Sequence, residues 1–337
     1  MSYTIKDIAR EAGVSFSTVS KVINNSHEIS EATANRVREV MKQMDFTPNI
    51  RASNFKRRST KNIAFLTALK KGEAFANPHM FEVLCGAHKV LSQKGYGISL
   101  LDISGEEIPG DTVKSVISTG GYDGIIVHGS ALSPDAASML AHSEFPYIVI
   151  GKPAFETQVS WLDTNSILAG GIAARHLIKG GSQKIAFIAG KQEGRISKDR
   201  IDGARQVIEE LGFTLDKANI LYTDSSTEQS YLTSLQLLDS NQRPDGIICE
   251  NNAIAIGTLK AIRKCAICVP KDLQIITFDD YPFSQIMDPP PTVINIDVFD
   301  LGEQAASQLL KNIKNPALHV QSYITLPQLI IRSTTRG

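Results

Sequence analysis

The sequence predicts an α/β protein, with a small all-α head at the N-terminus and a larger two-lobed body built on parallel sheets. Three observations lead to this prediction. Short helical patterns fill the first 47 residues, and from Asn62 onward short β-branched runs alternate with amphipathic stretches. The chain has 337 residues of which 42% are apolar, enough for two or three domains with sizeable cores.

The head is predicted to contain three short helices. Thr4 and Asp7 have the spacing of a capping box, which predicts a first helix from about residue 5 to residue 12. Gly13 ends it, and Ser15 is placed to cap a second helix. Apolar residues of the second and third helices recur at the spacing of a buried helical stripe: Val19, Val22, Ile23, Val37, Val40, Met41 and Met44. A helix, a glycine turn and a second helix form the layout of a helix-turn-helix.

Charge is distributed unevenly along the chain. The net charge is zero, with 35 basic and 35 acidic residues. Residues 1–60 contain ten basic and six acidic residues, so this segment carries +4 and the remainder carries −4. A basic head on a mildly acidic body is typical of a nucleic-acid-binding module joined to another domain, although a solvated basic helix face gives the same count.

The start of the second helix carries side chains suited to reading bases. Phe16, Ser17, Thr18 and Lys21 fall on its outward face. A recognition helix places such residues in the major groove, where a lysine donates to guanine and an aromatic ring contacts a thymine methyl. The alternative is that they are ordinary surface residues of a three-helix bundle.

The segment 48–61 is polar and basic, with one large apolar residue, Phe55. Asn49 is placed to cap a short helix that orders on DNA, in which Lys56 and Arg57 meet phosphates and Phe55 acts as a wedge in the minor groove. The alternative is that Phe55 packs against the body.

The body repeats one plan twice. Strand patterns occur at 63–68, 98–101, 124–127, 147–150, 185–189, 246–249 and 273–278, with helical patterns between them. Two similar pieces, at about 62–160 and 161–290, predict two lobes with parallel sheets. Ligands of such folds bind beyond the carboxyl ends of the strands, here between the lobes.

Several classes of protein are excluded or disfavoured. No apolar run approaches the roughly 20 residues that span a bilayer, and the charged N-terminus does not resemble a signal peptide, so we expect a cytoplasmic protein. No dinucleotide-binding or phosphate-binding glycine motif and no catalytic or metal-ligand spacing is present, so we expect no enzyme, no cofactor and no metal. Cys265 and Cys268 form a CxxC pair, which we expect to be core packing.

The residues that carry a family resemblance occur in order along nearly the whole chain. TIKDIAREAGVSFSTVSKVIN at 4–24, TPN at 47–49 and the following basic segment resemble the DNA-binding head of the lactose-repressor (LacI) family of bacterial transcription regulators. The body continues the match with HLIKGGSQKIAFIAG at 176–190, RIDG at 200–203, NNAIA at 251–255 and VPKDLQIITFDD at 269–280.

The resemblance implies an effector-controlled repressor that binds a palindromic operator as a homodimer, with a tetramer left open. It implies a helix-turn-helix domain at 1–47, a hinge at 48–61, and a periplasmic-binding-protein-like core at 62–337. Lobe one of that core would comprise about 62–160 and 292–320, and lobe two about 161–291 and 321–337. The implied DNA contacts are Thr4, Ser15, Phe16, Ser17, Thr18, Lys21, Asn24, Asn49, Phe55, Lys56 and Arg57. The implied contacts of a sugar or metabolite in the interlobe cleft are His79, Met80, His128, Arg200, Asn251, Phe278 and Asp279.

Alternatives remain for individual cleft residues. Arg200 has Asp199 and Asp202 beside it as ion-pair partners, His128 fits a satisfied core histidine, and Asp279 fits a cap of the next turn.

The chain also departs from the family pattern at several positions. Ser53 stands where arginine is common, Asn252 where aspartate is usual, Ile296 where a polar residue is common, and Gly151 where some sugar-binding members have aspartate. The missing polar side chains at these positions favour an effector that is less hydroxylated or larger than a simple hexose.

Two other functions compete with this reading. A global catabolite regulator whose corepressor is a phosphoprotein remains open. A solute-binding protein without DNA function is opposed by the basic head and by the absence of a signal peptide.

Overall fold

We describe the chain from a computed structural model, which covers residues 5–23, 29–44, 59–68, 78–104, 110–240, 243–316, 318 and 322–337. The chain divides into two compact units, Met1–Ser59 and Thr60–Gly337, here called the head and the body. Among the predicted DNA contacts, Thr4, Asn24, Asn49, Phe55, Lys56 and Arg57 lie outside the described residues, as does most of the predicted hinge. No helix in the described ranges is both long and apolar enough to cross a membrane.

The described part of the head contains three helices, α1 (Ile5–Glu11), α2 (Phe16–Ile23) and α3 (Glu31–Gln43). Their shared core is small and apolar, and it includes most of the stripe that the sequence predicts. Its buried members are Ile8, Ala9, Ala12, Val19, Val22 and Val37, with Val40, Met41 and Met44 packed against them. The helical period therefore places Val19, Val22, Val37, Val40, Met41 and Met44 correctly, while the side chain of Ile23 lies outside the described part of the chain.

The body contains two six-stranded sheets whose strands are parallel except for one pair. The first sheet has the order β11-β5-β4-β3-β1-β2, from β1 (Asn62–Thr67), β2 (Gly97–Asp102), β3 (Gly124–His128), β4 (Tyr147–Ile150), β5 (Trp161–Thr164) and β11 (Tyr323–Thr325). The second has the order β12-β10-β9-β8-β6-β7, from β6 (Ile185–Ala189), β7 (Ile220–Tyr222), β8 (Gly246–Cys249), β9 (Gln274–Phe278), β10 (Thr292–Asn295) and β12 (Gln328–Ile330). Only β10 and β12 pair antiparallel in this sheet.

Helices cover both faces of each sheet, as parallel sheets require. Lobe one carries α4 (His79–Gln93), α5 (Asp111–Thr119), α6 (Pro134–His142) and α11 (Val298–Lys314). Lobe two carries α7 (Ser166–Lys179), α8 (Arg195–Glu210), α9 (Thr227–Leu238) and α10 (Asn252–Lys264). The helices pack in pairs: α4 with α11, α5 with α6, α7 with α8, and α9 with α10. The predicted fold class, a helical head and a two-lobed body with parallel sheets, is confirmed.

The limits of the lobes differ from those predicted in three places. β5 was expected in lobe two but pairs with β4 of lobe one, and β10 was expected in lobe one but pairs with β9 of lobe two. β11 pairs with β5, so it belongs to lobe one. The chain therefore crosses between lobes after Thr164, after Asn295 and after Thr325. Repeat similarity along the sequence could not reveal these exchanges, because the three strands stand directly at the predicted lobe limits, where the similarity between the two pieces ends.

Two glycines set the close packing of α7 against α8. A Cβ added at Gly170 of α7 would lie 1.9 Å from the carbonyl oxygen of Arg200 on α8. One added at Gly203 of α8 would lie 1.9 Å from the carbonyl oxygen of Ile167 on α7. These contacts tie the backbone at Arg200 directly to the neighbouring helix.

The prediction that Cys265 and Cys268 are core residues is wrong. Both thiols are free and exposed. Cys265 is the C-terminal cap of α10, and both residues lie in the turn between α10 and β9, where little of the chain covers them.

Candidate functional site

The start of α2 in the head is capped by Ser15. Its Oγ accepts a hydrogen bond from the backbone N–H of Thr18 at 3.1 Å and lies 2.9 Å from Oγ1 of Thr18. The two hydroxyls thus satisfy each other and the first turn of the helix. Ser15 was predicted as a DNA contact, and the structure gives it a second role in fixing the helix that bears Phe16 and Ser17.

The outward face of α2 presents the predicted base-reading residues. Phe16, Ser17 and Lys21 are exposed, while Val19 and Val22 on the same helix are buried in the head core. Phe16 is 51% exposed, which is unusual for a large aromatic side chain on a small bundle. An exposed aromatic, a hydroxyl and a lysine on one face of a short helix form a surface that can contact base edges and phosphates.

Two histidines form the lobe-one side of the cleft. His79 is the first residue of α4, and His128 is the last residue of β3. Their rings meet edge to face, with centroids 5.7 Å apart. His128 therefore stands at the carboxyl edge of its sheet, where ligands of parallel sheets bind.

Both histidines are neutral at physiological pH. Burial lowers the pKa of His79 to about 4, and the charge of Arg200 lowers it further. Burial lowers the pKa of His128 to about 3, with a smaller contribution from His79. Arg200 is a lobe-two residue, so its effect on the pKa of His79 acts across the cleft.

Arg200 dominates the lobe-two side. It lies on α8, is 6% exposed, and donates from Nη1 to the carbonyl oxygen of Glu250 at 2.6 Å. Its guanidinium lies 3.9 Å from the ring centroid of Phe278, the last residue of β9. A planar guanidinium stacks on aromatic rings and donates hydrogen bonds at buried sites, and Arg200 does both.

The acidic neighbours of Arg200 in sequence do not pair with it. Asp199 pairs with Arg195 at 3.1 Å, and Asp202 pairs with Arg205 at 2.9 Å. The alternative in which Arg200 is neutralised by an adjacent carboxylate is therefore wrong. Its Nε is buried and has no hydrogen-bond partner among the described residues, so part of its donor capacity is unused.

Asp279 follows Phe278 and brings a carboxyl group to the same place. Its backbone has a φ of +68°, and its N–H donates to the carbonyl oxygen of Ile294 at 3.0 Å. Burial raises the pKa of Asp279, and the charge of Arg200 opposes that rise. A non-glycine residue held at positive φ is a costly arrangement of the kind found at functional sites.

Asn251 and Asn252 support this corner of the cleft. Oδ1 of Asn251 accepts from the backbone N–H of Ile254 at 3.0 Å, so this side chain caps α10. Nδ2 of Asn252 donates to the carbonyl oxygens of Phe278 at 3.0 Å and Asp279 at 2.9 Å. An aspartate in place of Asn252 has no hydrogen to donate when ionised, which gives the departure from the family pattern a structural reason.

The structure thus brings most of the predicted cleft residues together. His79 and His128 contact each other, Arg200 contacts Phe278, and its charge acts on both His79 and Asp279. Met80 is partly buried and packs on the main core beside His79.

Two other departures from the family pattern, Ile296 and Gly151, have structural reasons of their own. Ile296 is buried in the main core. Gly151 has a φ of +97°, which a residue with a side chain adopts only with strain.

Sequence reasoning missed two residues of the cleft. Glu250 acts through its backbone carbonyl, and no side-chain pattern signals that. Tyr281 is 5% exposed, and its buried hydroxyl has no hydrogen-bond partner in the described part of the chain. Burial raises the pKa of the Tyr281 hydroxyl, as do the charges of Asp279 and of Glu82 on α4 of lobe one. The sequence signal for Tyr281 was its position two residues after Asp279, a predicted residue of the cleft.

A second, open concavity of about 410 Å³ lies at the carboxyl ends of β6 and β7. It is lined by residues that the sequence did not single out: Lys191, Gln192, Glu193, Tyr222, Thr223, Asp224 and Gln229. Within the described ranges, no three histidine, cysteine or acidic side chains lie close enough together to hold a metal ion.

Two family models match the chain. A model of bacterial regulatory proteins of the lacI family matches residues 4–49, and a model of a periplasmic binding protein-like domain matches residues 174–335. The first covers the helix-turn-helix of the head, and the second covers most of lobe two together with the C-terminal elements.

Known proteins match over nearly the full length. The HTH-type transcriptional repressor PurR of Haemophilus influenzae strain Rd is 30% identical over 342 residues, covering 99% of each chain. The ribose operon repressor of Escherichia coli K12 is 28% identical over 332 residues, covering 98% of this chain and 99% of the repressor. Among solved structures, a complex of the transcriptional regulator CelR with cellobiose is similar, with a TM-score of 0.73, 26% identity, and coverage of 98% of this chain and 99% of CelR.

Proposed function

The chain belongs to the LacI family of bacterial transcriptional regulators, and from that premise we propose that it is a repressor that binds a palindromic operator as a homodimer and is controlled by one small polar effector. It is a DNA-binding, effector-regulated protein and not an enzyme. We assign DNA reading to the head, residues 1–47, and effector binding to the cleft of the core, residues 62–337. As a DNA-binding protein it would act at the chromosome, in the cytoplasm.

The exposed face of α2 supports the proposed DNA contact. Phe16, Ser17 and Lys21 are exposed together at the helix that a helix-turn-helix places in the major groove. Base contacts from this face would set the operator sequence. The basic residues Lys56 and Arg57 would contribute phosphate contacts, whose strength falls with salt and does not depend on sequence. Phe55 would act as the wedge of the hinge.

The observation that carries the proposed effector site is Arg200. A guanidinium that is buried, stacked on Phe278 and only partly satisfied by Glu250 has hydrogen-bonding capacity left for a ligand. Asp279 beside it offers acceptors, and the neutral histidines of lobe one close the other side. Donors and acceptors facing each other around an aromatic ring suit a compound with several hydroxyl groups.

The proposed control is a change in the population of lobe arrangements. An effector that contacts both lobes binds one arrangement better than another and shifts the equilibrium by its difference in affinity. The segment 48–61 would transmit this shift to the head by ordering or losing its helix.

Relatives suggest the class of effector to test first. CelR is described in complex with cellobiose, and another relative represses the ribose operon. Gly151 and Ile296 lack the polar groups of some sugar-binding family members. We therefore propose a sugar or related metabolite that is larger or less hydroxylated than a simple hexose.

The test is operator selection from random duplex DNA at near-physiological salt, followed by binding to the selected site with and without a metabolite library. A palindromic site released or tightened by one metabolite is the expected result. A palindrome that no metabolite affects would contradict small-molecule control and favour a phosphoprotein corepressor. Failure to select any sequence would contradict the assignment of the head.

A further inference from the structure

His128 is held by two hydrogen bonds to one residue. Its Nδ1 lies 2.8 Å from Oγ of Ser130, and the backbone N–H of Ser130 donates to the same nitrogen at 3.4 Å. A backbone N–H can only donate, so Nδ1 must carry a lone pair and no hydrogen. The Ser130 hydroxyl, which can act either way, then donates to Nδ1 as well.

The state of the other ring nitrogen follows from the charge of the ring. Because burial lowers the pKa of His128 to about 3, the imidazole is neutral and carries one proton at physiological pH. With Nδ1 occupied as an acceptor, that proton is on Nε2. Nε2 makes no hydrogen bond within the described residues, and it is not among the buried polar atoms that lack a partner, so it is open to solvent in the cleft.

We propose that Ser130 is a positioning residue of the cleft, which holds His128 in the tautomer that presents Nε2–H as a donor, and that the effector places a lone-pair oxygen or nitrogen against it. This inference rests on the proposed function of the cleft as an effector site. The described residues give Nε2–H no acceptor, so it is available to donate to a bound ligand.

The tautomer makes the two sides of the cleft chemically different. Lobe one presents a fixed donor at His128, and lobe two presents carboxylate acceptors at Asp279 in addition to the donors of Arg200. A hydroxyl or carbonyl group satisfies Nε2–H, whereas an ammonium group offers only donors and leaves it unpaired. A site built around a fixed hydrogen bond rejects ligands that cannot complete it more strongly than an apolar pocket does. His128 and Ser130 together would therefore select against amines at this position.

The first experiment measures the tautomer without any effector. In the full-length chain labelled with [15N]histidine, two-bond 1H–15N correlations distinguish a protonated from an unprotonated ring nitrogen, and a His128→Gln variant assigns the signal. We expect a protonated Nε2 and an unprotonated Nδ1 in the wild type, and the same pattern in Ser130→Thr. We expect a mixture in Ser130→Ala, because only the longer hydrogen bond from the backbone N–H, at 3.4 Å, then remains on Nδ1. Ser118→Ala, which removes an exposed hydroxyl on α5, is the matched control and should change nothing. A wild-type His128 protonated on Nδ1 would overturn the inference and leave the proposed function untouched.

The second experiment measures binding of the metabolite that acts on the operator complex, with cellobiose and ribose as the first probes. Ser130→Ala should bind it about three- to tenfold more weakly, the range for loss of one neutral hydrogen bond, and Ser130→Thr should bind it normally. Equal affinity in Ser130→Ala would overturn the inference even if the effector is real. Absence of binding by the wild type to every metabolite would overturn the proposed function and the ligand part of the inference, while the first experiment still decides the tautomer.

Discussion

Replacing Arg200 with methionine removes the charge from the cleft while keeping an unbranched side chain on α8. The guanidinium donates to the carbonyl oxygen of Glu250 at 2.6 Å and lies 3.9 Å from the ring centroid of Phe278. A methionine sulfur also packs favourably on an aromatic ring. The substitution therefore tests the charge and the hydrogen bond more than the packing.

The expected loss of stability is small because gains and losses offset each other. A hydrogen bond from a charged donor contributes about 1.5–3 kcal/mol, and a desolvated cation–π contact contributes about 2 kcal/mol. Against this, the unpartnered Nε of Arg200 costs about 1–3 kcal/mol, and a sulfur–aromatic contact restores about 0.3–1.5 kcal/mol. We expect the free energy of unfolding to fall by about 1 kcal/mol. Effector affinity should fall by about 2–3 kcal/mol, or roughly 100-fold, because nothing replaces the charge-assisted bonds to the ligand.

Three measurements separate these effects. Urea unfolding gives the stability, calorimetric titration gives the effector affinity, and NMR titration gives the pKa of His79. That pKa should rise above its wild-type value of about 4, because the charge of Arg200 contributes to lowering it. Arg205→Met is the matched control, because Arg205 lies on the same helix and pairs with Asp202 at the surface. This substitution should change the free energy of unfolding by less than about 1 kcal/mol and should leave the effector affinity unchanged.

Two results would refute this reasoning. Wild-type effector affinity in Arg200→Met would show that the guanidinium does not contact the ligand. An unchanged pKa of His79 would show that the two sides of the cleft are not electrostatically coupled.

The remaining predictions concern helix packing, the head and pH. Gly170→Ala places a methyl group 1.9 Å from a carbonyl oxygen of α8, so the helices must separate by about 1 Å; we expect a loss of about 2 kcal/mol in urea unfolding. Gly121→Ala, whose new methyl group meets nothing closer than 3.8 Å, is the control and should be nearly neutral, and equal losses in both would contradict the packing argument. Phe16→Ala should leave the melting temperature unchanged but weaken operator binding by about 1–3 kcal/mol in a titration by fluorescence anisotropy; a large drop in melting temperature would show that the ring is structural. Lowering the pH from 7 to 4 should lower the free energy of unfolding, because the pKa values of His79 and His128 are held at about 4 and 3 in the folded state, whereas the unfolded chain takes up their protons near pH 6.5. His128→Gln should have a shallower pH dependence of the urea midpoint, and an unchanged slope would be inconsistent with a neutral buried ring.

Most of the fold could be predicted from the sequence because its long elements carry strong patterns. The seven predicted strands are all present, and the apolar stripes of α2 and α3 form the head core. The exchange of β5, β10 and β11 between lobes could not be predicted. These strands stand at the limits of the two similar pieces of the body, so neither local propensity nor repeat similarity fixes the sheet to which they belong.

The candidate site was only partly predictable for a different reason. Arg200, Phe278 and Asp279 stand in recognisable motifs at strand or helix ends. The carbonyl oxygen of Glu250 has no side-chain signal, and the burial of Tyr281 depends on how the lobes approach each other. Asn252 donates to the backbone carbonyl oxygens of Phe278 and Asp279, and no sequence pattern indicates that contact.

The threefold crossing between lobes has a consequence for synthesis of the chain on the ribosome. β11 completes the edge of the first sheet and β12 completes the edge of the second, and both lie within residues 323–330. Neither lobe can close its sheet until these residues have left the exit tunnel, although the head is made within the first 60 residues. A nascent chain can therefore hold a folded head while its body is still incomplete. A product that stops before Tyr323 would lack an edge strand in both lobes at once, so completion of both sheets depends on residues 323–330.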